Sequence, residues 1–188
     1  KAVEGSVLTS DGRIIGSAVH LVISRLDLKK PVTVGNIEQV KKSLVAEGTL
    51  TEDICGCIDT KAIAAFFTDE LGKEVLDSYN TVRREWPFTF SLPALSPVEG
   101  PAATSDRQLA TGDFIIVQGI IDILIETPQG VLIIDFKTDR ISKEQSAERA
   151  GLYRSQLELY GRAAEKILKR PVIGRWLYFL HPHCAVKV

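Results

Sequence analysis

Methionine is absent from these 188 residues, tryptophan occurs twice and cysteine three times. A chain that opens at Lys1 with no methionine anywhere is expected to be a fragment of a longer one. Cys55, Cys57 and Cys184 are too few, and an odd number, for a disulfide framework, and they fit a reducing compartment. Three thiols also fall short of a four-thiolate cluster, so no iron–sulfur cluster is expected. No apolar run reaches the ~20 residues of a membrane span, and no secretory leader is expected. A G-x-x-x-x-G-K-[ST] loop is also missing, which excludes the usual phosphate cradle for ATP.

What is there looks globular. The chain is 45% hydrophobic and 25% charged, with net charge −1, and is expected to form one domain over 1–188. The charge is unevenly spread. Residues 137–175 hold ten Lys/Arg against five Asp/Glu, while the remainder hold 13 against 19. A basic surface beside an acidic site suits a polyanion; solvated helix faces would account for it equally well.

Periodicity divides the chain. Helical spacing of Ile15, Val19, Val22, Ile23 and Leu26 predicts a helix over 11–28. A second is predicted over 33–50, capped near Asn36 and ended around Gly48. One or two more are predicted over 59–78, with a break near Gly72. The aromatic alternation of 81–92 predicts a strand. Residues 93–113, dense in Pro, Gly, Ala and Ser, read as a long loop that is expected to be mobile. Two apolar strands, 114–127 and 130–139, flank Pro128–Gln129. A helix over 142–170 stops at Pro171, and 174–182 reads as a last strand. Helices, strand, hairpin, helix, strand: the order predicts an α/β sandwich with a mixed central sheet and a helical N-terminal third.

The hairpin register can be worked out. A tight turn at Pro128–Gln129 pairs Thr127 with Gly130, and the same register puts Asp122 opposite Asp135, with Cβ atoms about 4.5–5.5 Å apart. Lys137 follows on the same face, about 6.5–7 Å along the strand. One face carries Ile121, Ile123, Ile125, Leu132, Ile134 and Phe136. The other carries Ile120, Leu124, Val131 and Ile133 before it reaches the three charges. Two facing carboxylates repel, so one pKa rises unless a cation sits between them. A hard divalent ion with oxygen ligands, such as Mg²⁺, fills such a gap and is often shared with substrate phosphates. The bland alternative is a buried Asp–Lys pair beside a second satisfied aspartate. It does not explain why two aspartates converge. Glycoside hydrolysis also uses paired carboxylates, but the adjacent lysine and the missing aromatic sugar platform argue against it.

Asp122 followed by Asp135-Phe136-Lys137 resembles the D…(D/E)-x-K signature of the restriction-endonuclease-like nucleases. "GIIDILIETPQGVLIIDFKTDRI" is similar to the RecB-type nuclease domains of that superfamily. "YRSQLELYGRAAEK" resembles their Q-x-x-x-Y helix, "GSAVHLVI" their upstream G-x-x-x-H helix, and "RREWPF" the Glu-containing strand of the AddA-type branch. The likeness runs from about residue 12 to 180. It implies a restriction-endonuclease-like fold, with Asp122 and Asp135 on a metal and His20 joining them. It also implies that Lys137 is catalytic, with Gln156 and Tyr160 beside it. Arg140, Tyr153 and Arg154 are expected to bind substrate. Glu85 is either a site residue or a partner of Arg83 or Arg84, and His20 read without the resemblance would pass as a core histidine. The implied cofactor is Mg²⁺, with Mn²⁺ as a substitute.

The implied activity is DNA exonuclease action within a bacterial, cytoplasmic, ATP-dependent helicase–nuclease of double-strand-break repair and homologous recombination. Its partners would be single-stranded DNA, upstream helicase domains of the same chain and an AddB-type subunit. Three readings stand beside this one. They are a stand-alone exonuclease of the same superfamily, a Cas4-like enzyme, and a catalytically silent nuclease fold that only binds DNA or a partner subunit.

Overall fold

The computed structural model describes residues 7–77, 79–93 and 114–188. The expected loop over 93–113 lies, but for Pro93, outside the described residues. Helices α1 (Val7–Arg25), α2 (Val34–Ala46), α3 (Glu52–Gly56), α4 (Thr60–Phe66) and α5 (Glu70–Leu76) come first. Strands β1 (Thr81–Pro93), β2 (Phe114–Thr127) and β3 (Gly130–Lys137) follow. After them come α6 (Ser146–Gly151), α7 (Arg154–Leu168), β4 (Val172–Phe179) and β5 (Cys184–Lys187). The strands form one mixed sheet in the order β1-β2-β3-β4-β5, with only β3 and β4 parallel. The crossover between those two is α6–α7, as a parallel connection requires. No helix among the described residues is long and apolar enough to cross a membrane.

Each face of the sheet buries its own core. On one side Val19, Val22 and Ile23 of α1, and Leu26 just beyond it, pack with Ile37, Ile63 and Phe66 onto Ile123, Ile125, Ile134 and Phe136. On the other, Ala163 and Ala164 of α7 let that helix lie close over Leu124, Val131 and Ile133. Leu157 and Ala150 cover Leu177 and Phe179 beyond them.

Several expected elements are redrawn. The helix over 59–78 is two helices, and the break falls before Gly72, within 67–69. Asp69 there accepts the amide of Gly72 and so starts α5. The helix over 142–170 is also two, divided at Leu152–Tyr153. The cap of α2 is Thr33 rather than Asn36. The two side chains cap one another's backbone amides, so Asn36 serves as the third residue of a capping box. The last strand ends at Phe179, and a turn leads into β5, which the sequence did not announce.

The face assignment of the hairpin also needs correction. Ile121 does not share a face with Ile123 and Ile125. It packs with Leu124 and Phe88 on the α7 side, and Ile120 is half exposed. The cause is a slip in the alternation of two strands at one row. On β1, Val82 belongs to the α1-side core, but Phe88 and Phe90 belong to the α7 side. Between them Glu85 takes a left-handed backbone with φ 48°. Arg84 pairs with Ile123 and Trp86 with Ile121, and the intervening Glu85–Asp122 pair drops out of the ladder.

Candidate active site

That broken row is where the acidic residues collect. The β2–β3 ladder runs in the expected register, from Thr127 with Gly130 to Ile123 with Ile134, and stops there. Continued by one residue it sets Asp122 across from Asp135. Continued by one residue on the other side, the β1 ladder sets Glu85 across from Asp122. Glu85, Asp122 and Asp135 thus occupy one row across three adjacent strands. The Asp122 carboxylate substitutes for the missing ladder bond: its Oδ2 accepts the Phe136 amide at 2.7 Å. Its Oδ1 accepts from His20 Nδ1 at 3.0 Å. His20 arrives from α1, whose apolar stripe fixes the helix against the sheet. Arg84 ties the C-terminal end of α1 to β1 by donating to the carbonyls of Ile23 and Leu26 at 3.1 and 2.5 Å.

Donor atoms of His20, Glu85 and Asp122 all lie within 4.8 Å of one another. Asp135 stands outside that group. Its Oδ2 instead lies 2.7 Å from Lys137 Nζ. That contact is off the hydrogen-bonding direction, so Oδ2 is buried with no hydrogen-bond partner. Lys137 Nζ donates to Gln156 Oε1 at 3.3 Å, and Gln156 Nε2 donates to Tyr160 Oη at 2.7 Å. The structure therefore brings His20, Glu85 and Asp122 together, and Asp135, Lys137, Gln156 and Tyr160 together immediately beside them.

The electrostatics favour bound protons at Asp135, Glu85 and His20 in the absence of a cation. Burial, and then the charge of Asp122, push the Asp135 carboxyl up to about 6, against the pull of Lys137. Burial and Asp122 also raise Glu85. At His20 burial lowers the pKa, but the hydrogen bond and charge of Asp122 outweigh it and the net shift is upward. A row in which Asp135 and Glu85 resist ionisation, with one buried oxygen unsatisfied, is chemically suited to a positive ion. Two carboxylates and an imidazole fit a divalent cation.

Of the row, Glu85 lines a cleft of about 1010 Å³, together with Arg13, Ser17, His20, Lys137 and Arg140. Tyr153 also lines it, whereas exposed Arg154 does not. Sequence reasoning did not single out Arg13 and Ser17 on α1, or Asp139, which accepts from Arg149 and Tyr153. Asp139 carried a signal, since it continues the alternate spacing of Asp135 and Lys137. Arg149 carried none, because its approach depends on the break between α6 and α7.

A mixed sheet bearing an acidic row, a neighbouring lysine and a glutamine–tyrosine helix defines a restriction-endonuclease-like nuclease. Comparison with known families agrees: the PD-(D/E)XK nuclease superfamily model matches residues 6–187, and the chain belongs to that superfamily. It is 39% identical over 173 residues to the AddA-type ATP-dependent helicase/nuclease subunit of Moorella thermoacetica, a match that covers 92% of this chain and 12% of that protein. The protein of the same name from Bacillus cereus is 38% identical over 183 residues, covering 92% of the chain and 14% of the relative. The one from Bacillus anthracis is 37% identical over 180 residues, with the same two coverages. The chain thus spans about one-seventh or less of the relatives it matches.

Proposed function

We propose that this domain is a Mg²⁺-dependent DNA exonuclease, the cutting part of an AddA-type helicase–nuclease that works with an AddB-type subunit in double-strand-break repair and recombination. The observation that carries the reading is the row Glu85–Asp122–Asp135, flanked by His20 and Lys137 at the mouth of one cleft. His20, Glu85 and Asp122 would hold the ion, and Asp135, with its unsatisfied oxygen, completes the negative side of the site. A bound divalent ion supplies charge neutralisation at the phosphodiester and a more acidic water. Lys137 holds a positive charge at a fixed place beside the row, where it orients the attacking water and stabilises charge developing on the phosphate. Gln156 and Tyr160 hold the lysine's far side. Arg13 and Arg140 bring positive charge to the cleft wall and, with Arg154 outside it, suit a phosphate backbone. A single strand is the proposed substrate, delivered by a motor elsewhere in the longer chain.

Labelled single- and double-stranded DNA incubated with this chain and Mg²⁺, Mn²⁺, Ca²⁺ or chelator tests the reading. Cleavage is expected with Mg²⁺ and Mn²⁺ and not with chelator. Asp135→Ala and Lys137→Ala are expected to lower the rate by about a hundredfold or more while circular dichroism stays unchanged. Undiminished cleavage by either folded variant would sink the assignment.

A further inference from the structure

We infer that Asp139 and Arg149 are positioning residues for Lys137, acting through the ring of Tyr153. The inference rests on the nuclease reading for what the lysine does, but the cage around the lysine is observed independently of it. The Lys137 ammonium has three neighbours: Asp135 Oδ2 at 2.7 Å, Gln156 Oε1 at 3.3 Å, and the centroid of the Tyr153 ring at 4.2 Å. Carboxylate and amide lie on β3 and α7, well-packed elements. Tyr153 sits in the break between α6 and α7, and its ring packs against the buried cluster of Ala150, Leu157, Leu177 and Phe179. Asp139 holds its hydroxyl end. The tyrosine hydroxyl donates toward both carboxylate oxygens at 3.3 and 3.2 Å. Arg149 in turn secures Asp139, with Nε at 2.7 Å and Nη2 at 2.5 Å from the same oxygen. The guanidinium also lies over the tyrosine ring, 5.7 Å from its centroid.

Read alone, Asp139–Arg149 is an ion pair between a partly exposed guanidinium and a largely buried carboxylate, of a kind that need contribute little to stability. Its connection gives it a purpose. A lysine side chain has four flexible bonds and a point charge with no built-in direction. A ring face beneath the ammonium attracts it and blocks one side. Packing holds the body of the ring, and the tether at its hydroxyl end sets how the face is turned toward the ammonium. Asp139 itself makes no hydrogen bond to Lys137, so its effect is transmitted through the ring. The hydroxyl is engaged by Asp139, and what Tyr153 presents to Lys137 in the cleft is its aromatic face.

The test uses purified Asp139→Asn, Tyr153→Leu, Tyr153→Phe, Arg149→Leu and Arg149→Lys beside the wild type and Lys137→Ala. Steady-state cleavage of labelled single-stranded DNA with Mg²⁺ gives one readout. Competitive labelling of lysines by an amine-reactive reagent, read by mass spectrometry without metal or DNA, gives the second. Misplacing a reacting group by a fraction of a bond length costs catalysis rather than binding, so kcat is expected to fall about tenfold or more in Tyr153→Leu and Asp139→Asn. KM should stay within about twofold. Arg149→Lys should retain more activity than Arg149→Leu, and Tyr153→Phe, which keeps the ring but not the tether, should fall between wild type and Tyr153→Leu. Labelling of Lys137 should rise severalfold in Tyr153→Leu and Asp139→Asn while other lysines are unchanged. Unchanged kcat in both, a loss confined to KM, or unchanged Lys137 labelling overturns the inference. Should Tyr153→Leu unfold, Tyr153→Phe and Asp139→Asn carry the same outcomes. A Lys137→Ala enzyme that cuts like wild type would overturn the nuclease reading instead, and the labelling result would still report on the cage.

Discussion

Asp135 carries the largest electrostatic burden of any single residue at the site. It is buried, it faces Asp122, and Lys137 compensates it only partly. Its carboxyl is raised from 3.8 to about 6 in the folded, metal-free chain. Between those values the folded state holds a proton that the unfolded state has released, so folding loses free energy as pH rises from about 4 to about 6, and the loss is complete above that. The loss is on the order of a few kcal/mol at neutral pH. Asn at this position keeps an oxygen for Lys137 and has no charge to bury. In chelator, Asp135→Asn is therefore expected to unfold at higher temperature than wild type at pH 7.5, with the gap shrinking toward pH 5. Thermal melts of both proteins at the two pH values check it, and a less stable variant at pH 7.5 would refute it. The same substitution is expected to abolish cleavage, so this residue trades stability for chemistry.

Among the elements, those with strong local signals were readable. The β2–β3 register followed from the turn alone, because a period of two fixes every pair once one is known. Asp122, Asp135 and Lys137 were consequently placed before any tertiary information. His20 and Glu85 came only through the family resemblance, since their approach depends on α1 docking on the sheet and on a left-handed residue in the middle of β1. No propensity anticipates glutamate at φ 48°; such backbone costs on the order of 1–3 kcal/mol and persists where surroundings impose it. The same limit explains the divided helices. Gly72 read as a break, but it is the point at which α5 crosses the end of α4. A Cβ there would sit 2.0 Å from the Phe66 carbonyl oxygen and 2.5 Å from Phe67 Cα. Ala is the better helix former by about 1 kcal/mol, yet here the clash is with backbone and cannot be relieved by a rotamer change. Gly72→Ala is expected to destabilise the domain by about 2–3 kcal/mol, a fall in Tm of roughly 5–10 °C for a chain of this size. Calorimetry checks this, and an unchanged or higher Tm would show that α4 and α5 are free to separate.

At the scale of the whole molecule, the acidic row reaches, through Glu85, a cleft that Arg13, Lys137 and Arg140 also line, in a chain whose net charge is only −1. The row repels a polyphosphate until a cation neutralises it, so the walls must supply the attraction. Arg13 and Arg140 line the cleft, and Arg154 is exposed at the start of α7. If each meets one phosphate of a single strand, three contacts release counterions, and log K should fall against log salt with a slope of about −2. Arg140→Ala and Arg154→Ala should each reduce that slope by about 0.7 and weaken binding by a similar factor whatever the base sequence. Fluorescence anisotropy of labelled oligonucleotides on uncut complexes of Asp135→Ala, titrated with salt, measures both quantities. A slope near zero would mean that the walls do not hold the backbone. The predicted slope is shallow beside that of a protein contacting many phosphates. A weak, sequence-blind grip of this kind lets a strand advance between cuts. It fits a nuclease domain whose match covers 12–14% of its relatives' length.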